Sequence, residues 1–357
     1  MMIPTYLGVS AALAGILAIF ITKPVHREAI TSQIKHIPPI GKEELKYNDF
    51  VRQTVFFDSH GVRCHAWLYT PTKTTQSKFP VVIMGHGLGA QKDFGLEKYA
   101  EVFAKKGLAS FLIDYRNFGG SEGEPRNLIN PFRHVEDWES AVQFVRSGQL
   151  GGQYDELKIG LWGSSMAGGH VLVTAAQQEG ISAVVSQIPH LNGRDSSKRN
   201  IKKLGVPAVL HRVLFALQDQ VRGFFGLSPY QIRIIGHLDE FALMPSSDDE
   251  YAAYFAKHPT HRLGNWKNQA PARFMLHLPR YNPEDYLDKV NCKVLFIAAE
   301  DDRLCPFQYV ERAKEKLGDR GEVLSLKNVG HFAMYSGEPL EIASRRAAEF
   351  LVDNLTK

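Results

Sequence analysis

Lys158-Ile-Gly-Leu-Trp-Gly-Ser-Ser-Met-Ala-Gly-Gly-His170 is the stretch that decides how this chain folds. An apolar run ends in Gly163, a serine stands at 165, and Ala167, Gly168 and Gly169 follow it. A serine perched on a tight strand-to-helix turn has strained backbone angles, so the residues two before and two after it must be small. Centring that frame on Ser165 puts Gly163 and Ala167 at those positions. Centring it on Ser164 puts Trp162 and Met166 there, and the turn would clash. Ser165 is therefore the expected nucleophile. Glycine-serine clusters also occur in ordinary loops, so the rest of the chain has to supply the partners.

Around this turn, short apolar runs alternate with helical periodicity. Strands are expected at 52–57, 62–69, 81–84, 109–113, 159–162, 183–187, 294–298 and 322–326. Helices are expected at 96–106, 135–145, 168–178, 306–317 and 340–354. The first two strands are joined by Asp58-Ser-His-Gly61, a hairpin turn. A hairpin followed by strand-helix alternation implies an α/β fold: a mostly parallel eight-stranded sheet with helices on both faces. The alternation breaks only between Pro189 and Asn291, too long a stretch for a crossover. It is rich in aromatic residues such as Phe215, Phe224, Tyr230 and Trp266. Residues 189–291 therefore read as an inserted helical cap over the C-terminal sheet edge, where ligands bind in open α/β sheets. The core is then 51–188 with 292–357, and 24–50 is a linker and lead-in.

A serine hydroxyl is a poor nucleophile unless an imidazole takes its proton and a carboxylate holds that imidazole. Val294-Leu-Phe-Ile-Ala-Ala-Glu-Asp-Asp-Arg-Leu-Cys-Pro306 is a strand ending in an acidic turn, and Val329-Gly-His-Phe332 lies after the last strand. Asp302, four residues before Pro306, is the expected acid, with Asp301 second and Glu300 a neighbour. Of the 14 histidines, His331 stands out by its position in a loop before the final helix. Backbone donors must meet the developing oxyanion. One is expected from Met166, directly after the nucleophile. The other is expected from the Gly85-His-Gly-Leu-Gly-Ala90 loop, with Leu88 first and Gly89 second. His258 and His261 flank Pro259 without an acidic or cysteine partner, so they read as loop residues rather than a metal pair. No cofactor or metal is expected.

With 44% hydrophobic and 22% charged residues, the composition is that of a globular protein. The formal charge of +4 is scattered, which excludes a nucleic-acid patch. Cys64, Cys292 and Cys305, odd in number and widely spaced, give neither a disulfide framework nor a metal motif, which favours a reducing compartment. The 20 residues from Ile3 to Thr22 carry no charge, enough to span roughly 30 Å as a helix. No Lys or Arg precedes them, and Lys23, Arg27 and Lys35 follow. An uncleaved N-terminal membrane anchor over residues 1–23 is thus favoured over a signal peptide, with the catalytic part cytosolic. The sequon Asn354-Leu-Thr356 points the other way, to export.

The HGLG loop (86–89), the DYRNFGGSEG segment (114–123), the GSSMAGG turn (163–169), the AAEDDRLCP turn (298–306) and the GHF loop (330–332) together resemble the α/β-hydrolase superfamily. The chain looks most like the dienelactone-hydrolase-like and peptidase-like branch with a helical cap, which includes polyketide-transferase-like proteins. The order Ser165, Asp302, His331 is the one associated with that fold. Ala167 departs from the commoner glycine, and the N-terminal span is unusual for the branch. The resemblance implies a serine hydrolase cleaving a small-molecule carboxylic ester or thioester. Acyl transfer and peptide cleavage by the same triad are the alternatives, and an inactive binding protein is a third. An aromatic cap and an anchor hint at a lipophilic substrate. The sequence leaves the oligomeric state open.

Overall fold

The computed structural model describes residues 44–73, 76–237, 240–246 and 266–356. A hairpin of β2 (Phe50–Ser59) and β3 (Val62–Pro71) opens the main sheet. Gly61 sits at positive φ in its turn and donates its N–H to Asp58 Oδ1 at 3.1 Å, the reason for Asp and Gly at those positions. There follow β4 (Phe79–Gly85), β5 (Ala109–Ile113), β6 (Tyr154–Ser164), β7 (Ile181–Gln187), β11 (Lys293–Ala299) and β12 (Gly321–Leu326). With a short edge strand β1 (Glu44–Lys46) beside β2, the strand order is β1-β2-β3-β5-β4-β6-β7-β11-β12. From β5 to β12 every pairing is parallel.

The sheet thus has nine strands where the sequence implies eight. The extra strand is β1, Glu44–Lys46, antiparallel to β2 and inside the segment read as lead-in. Three residues with one apolar side chain carry no periodicity of their own. The unpaired edge of the hairpin recruits them.

Alternate residues of the parallel strands pack against opposite helix layers. Val81, Ile83, Leu161 and Phe296 face α2 (Pro131–Arg146), α3 (Met166–Gln177) and α6 (Gln308–Leu317). Val82, Met84, Trp162 and Leu295 face α1 (Glu97–Lys105) and α7 (Gly337–Leu355). Burial on both faces is why these strands read as continuous apolar runs. Helix α2 starts four residues before its apolar periodicity does. Asn130 Oδ1 accepts from the N–H groups of Phe132 and Arg133, and Pro131 occupies the first turn.

Between β7 and β11 lie α4 (Gly193–Leu204) and α5 (Val206–Phe224), separated by Gly205 at φ 80°. A three-stranded sheet follows, β8 (Gln231–His237), β9 (Ala242–Ser246) and β10 (Ala270–Pro271), in the order β10-β8-β9. An insertion expected to be helical is therefore mixed. Ile232 and Ile234 alternate with Arg233, the period-2 signal of a strand. The Asn268 side chain bonds both the N–H and the carbonyl of Ile235, at 3.0 and 2.8 Å, and finishes that strand as a neighbour would.

The uncharged segment 3–22, His258 and His261 lie outside the described residues. Among the described residues, no helix is long and apolar enough to cross a membrane.

Candidate active site

Ser165 stands between the end of β6 and the first residue of α3, with φ 60° and ψ −118°. That region is costly for a residue bearing a Cβ, so the surroundings must hold it there. Its N–H donates to the Gln187 carbonyl at 2.9 Å, and its own carbonyl accepts from Gly168 and His190 N–H at 3.0 and 2.9 Å. The small neighbours are required by backbone rather than by side chains. A Cβ on Gly163 would lie 2.2 Å from the Ala167 carbonyl oxygen, and one on Gly168 would lie 2.9 Å from that of Gln187. Ser164 is turned away, its hydroxyl 2.7 Å from Tyr335 Oη.

The structure brings Ser165, His331 and Asp302 into one chain of hydrogen bonds. His331 Nε2 is 3.1 Å from Ser165 Oγ, and His331 Nδ1 is 2.6 Å from Asp302 Oδ2. All three side chains are buried. The other oxygen of Asp302 accepts from Leu304 N–H at 2.8 Å and Cys305 N–H at 2.7 Å. These bonds fix the carboxylate and leave it facing the imidazole. The neighbouring acids go elsewhere: Glu300 Oε1 accepts from Ser325 Oγ at 2.9 Å, and Asp301 is exposed.

The HGLG loop lies against the serine. A Cβ on Gly87 would stand 2.9 Å from Ser165 Cβ, and one on Gly89, at φ 67°, would strike Ile234 of the insertion at 2.5 Å. Trp266 Nε1–H donates to the Gly89 carbonyl at 2.7 Å. Leu88 and Met166 both line the cavity that Ser165 lines. Met166 is the first residue of α3, where backbone N–H groups have no partner within the helix.

The DYRNFGGSEG segment braces this loop. Asp114 accepts from Lys92 N–H and Gly120 N–H, both at 2.9 Å, and forms a buried ion pair with Lys92 Nζ. Burial alone would raise the Asp114 carboxyl, but Lys92, His86 and His65 bring it below its usual range. Burial pushes the His86 imidazole down to about 4, against the pull of Asp114. Nothing in the sequence around Lys92 marks it. A lysine with no exposed surface is visible only once its carboxylate partner is placed.

Ser165 opens onto two spaces. The larger, of about 480 Å³, runs past Met166, Phe274, Leu278 and Cys305 to Arg199 on α4. The smaller, of about 40 Å³, lies on the Gly87, Phe94, Trp266 and His331 side. Cys305 is a further residue not singled out from the sequence. Among the described residues, the one grouping of His, Cys and acidic side chains with metal-ligand spacing is Asp302, Cys305 and His331. Burial and the Asp302 charge hold the Cys305 thiol well above its ordinary value, so it stays protonated. Asp302 and His331 are already bonded to each other. The bonded Asp302–His331 pair fits proton transfer to and from Ser165.

Residues 76–334 match the family described as serine aminopeptidase, S33. The chain is 34% identical over 297 residues to the quorum-quenching protein AidA of Acinetobacter baumannii, a span covering 83% of this chain and 93% of that one. It is 25% identical over 309 residues to a thiohydrolase of Eupenicillium brefeldianum, covering 84% and 94%. Its fold is similar to that of a hypothetical protein from Pseudomonas aeruginosa, with a TM-score of 0.73 at 22% identity over 87% of this chain and 95% of that one. The chain belongs to the serine aminopeptidase S33 family and has the α/β-hydrolase fold.

Proposed function

We propose that this protein is a serine hydrolase that cleaves a carboxylic ester or thioester through an acyl-enzyme. The observation that carries the proposal is the hydrogen-bonded chain from Ser165 Oγ through His331 to Asp302, at 3.1 and 2.6 Å. Ser165 Oγ attacks the substrate carbonyl carbon while His331 Nε2 takes its proton. Asp302 keeps the other ring nitrogen protonated and stabilises the imidazolium. The N–H groups of Leu88 and Met166 hold the oxyanion. The tetrahedral intermediate collapses, the bond to the leaving oxygen or sulfur breaks, and His331 gives the leaving group its proton. Water, deprotonated by His331, then attacks the acyl-Ser165 carbonyl and releases the acid. The likeness to a thiohydrolase supports including thioesters.

The insertion at 189–291 serves in this proposal as the cap over the larger cavity. Attachment to a membrane through residues 3–22 is proposed from the sequence alone, and alkaline carbonate extraction tests it. The enzymatic claim is tested by fluorophosphonate labelling of the wild type and Ser165→Ala, then by turnover of p-nitrophenyl esters and acyl thioesters of graded length. Labelling that is lost in Ser165→Ala supports the proposal. Labelling that persists in the variant assigns the nucleophile elsewhere.

A further inference from the structure

Helix α5 is amphipathic with its faces reversed. Val206, Leu210, Leu214, Leu217 and Phe224 recur at helical spacing and are between 42 and 82% exposed. The buried residues of the same helix include the polar Gln218, Asp219 and Arg222. Asp219 is paired with Arg273 at 2.7 Å and accepts the Tyr230 N–H, and Arg222 donates to the Ser228 carbonyl. A surface helix of a globular domain does the opposite. A solvent-facing apolar stripe five turns long marks a surface made to be covered. Phe225, 62% exposed, extends it at the C-terminal end.

Three observations say what covers it. First, the exposed charged residues of the adjoining α4 are all cationic, Arg194, Lys198, Lys202 and Lys203. The one acid in that helix, Asp195, lies within 4 Å of Lys198 and Arg312, and the one acid in α5 is the buried Asp219. Anionic headgroups complement these lysines. Second, the large cavity is lined by Ser196, Arg199, Asn200, Lys202 and Lys203 of α4, the helix that packs against α5. Third, the same chain carries the uncharged residues 3–22.

We propose that α5 docks on the surface of a bilayer bearing anionic lipids. Leu210, Leu214, Leu217 and Phe224 lie at the acyl-chain boundary, and Lys198 and Lys202 lie among the headgroups. The α4 wall of the cavity then adjoins the membrane, and the substrate is a lipophilic ester or thioester drawn from it. This last clause rests on Ser165 being the nucleophile; the docking does not.

The test uses the full-length protein with phosphatidylglycerol vesicles whose acyl chains are brominated, in which quenching of tryptophan reports insertion. Leu214→Trp should be quenched beyond the wild type. Leu157→Trp, in the half of β6 away from Ser165 and 81% exposed, should not. Brominated phosphatidylcholine should quench Leu214→Trp less. The double variant L210E/L214E should hydrolyse a long-chain ester presented in these vesicles about tenfold more slowly while keeping wild-type turnover of soluble p-nitrophenyl acetate. No excess quenching in Leu214→Trp overturns the docking, as does a concentration-dependent dimer that L210E/L214E dissolves. Equal quenching by phosphatidylcholine overturns the role of anionic headgroups. A wild type that takes no fluorophosphonate label refutes the nucleophile and the membrane-substrate clause, with the docking still decided by the quenching.

Discussion

Replacing Asp302 by asparagine separates orientation from packing. One carboxylate oxygen accepts from two backbone N–H groups, Leu304 at 2.8 Å and Cys305 at 2.7 Å, and the other faces His331 Nδ1 at 2.6 Å. Both backbone groups are donors only. The asparagine must therefore present its carbonyl oxygen to them and its NH2 to His331. An NH2 cannot accept from Nδ1–H, so the ring shifts to the tautomer protonated on Nε2. That nitrogen, 3.1 Å from Ser165 Oγ, then donates where it has to accept. The kcat of D302N should fall about 10⁴-fold, equivalent to roughly 5 kcal/mol of barrier. Its urea midpoint should barely move, because the two backbone bonds survive. D302A should be as inactive but also less stable by about 2–4 kcal/mol, since it strands two partly buried N–H groups and the imidazole. Turnover of a short p-nitrophenyl ester and urea unfolding followed by tryptophan fluorescence measure both quantities. D302N activity within tenfold of wild type would refute the tautomer argument. Equal destabilisation of D302N and D302A would refute the geometry of the acid turn.

Ser165→Ala should lose turnover and fluorophosphonate labelling with an unchanged melting temperature, since only one hydroxyl is removed; a large drop in melting temperature would show a structural role instead. Lys92→Met should cost about 3–5 kcal/mol in urea unfolding by leaving the buried Asp114 carboxylate without its main partner. A loss under 1 kcal/mol would mean that the pair does not brace the loop. Stability should also fall as the pH drops from about 6.5 toward 4. His86 and His190 are held down to about 4 by burial, and His134 and His170 lie well below their ordinary value for the same reason. In this window the unfolded chain binds protons that the folded chain does not, so each histidine removes about 1.4 kcal/mol per pH unit. Asp93, raised by burial to about 6, opposes them, as do Asp137 and Glu124, also raised by burial, while His65, held down to about 2, adds a fifth histidine. A urea midpoint unchanged between pH 7 and pH 5 would contradict this balance.

Residues whose constraint is local were legible in the chain. The turn at Ser165 announces itself because its strained backbone admits only small residues two before and two after it, Gly163 and Ala167, and a Cβ on Gly163 would strike the Ala167 carbonyl. The parallel strands read as apolar runs because both of their faces are buried. Asp302 could be preferred to Asp301 and Glu300 only by its distance from Pro306, and the bonds it makes to Leu304 and Cys305 belong to that same local turn. Residues that act across the sheet were not legible. β1 exists because an edge was free to pair. The strands of the insertion are short and partly completed by one asparagine side chain.

The sequence by itself determined the strand-helix alternation, the sharp turn and the order of serine, acid and histidine, because each depends on neighbours a few residues away. Only the tertiary structure decided that the groups 29 and 166 residues apart in the chain meet at 2.6 and 3.1 Å. It also decided that Lys92 is buried against Asp114, that Cys305 lies beside the triad, and that α5 turns its leucines outward. Periodicity reveals that a helix has an apolar face, but which way that face points is set by what the other face finds to bond. In α5 the polar face found Arg273, Tyr230 and Ser228.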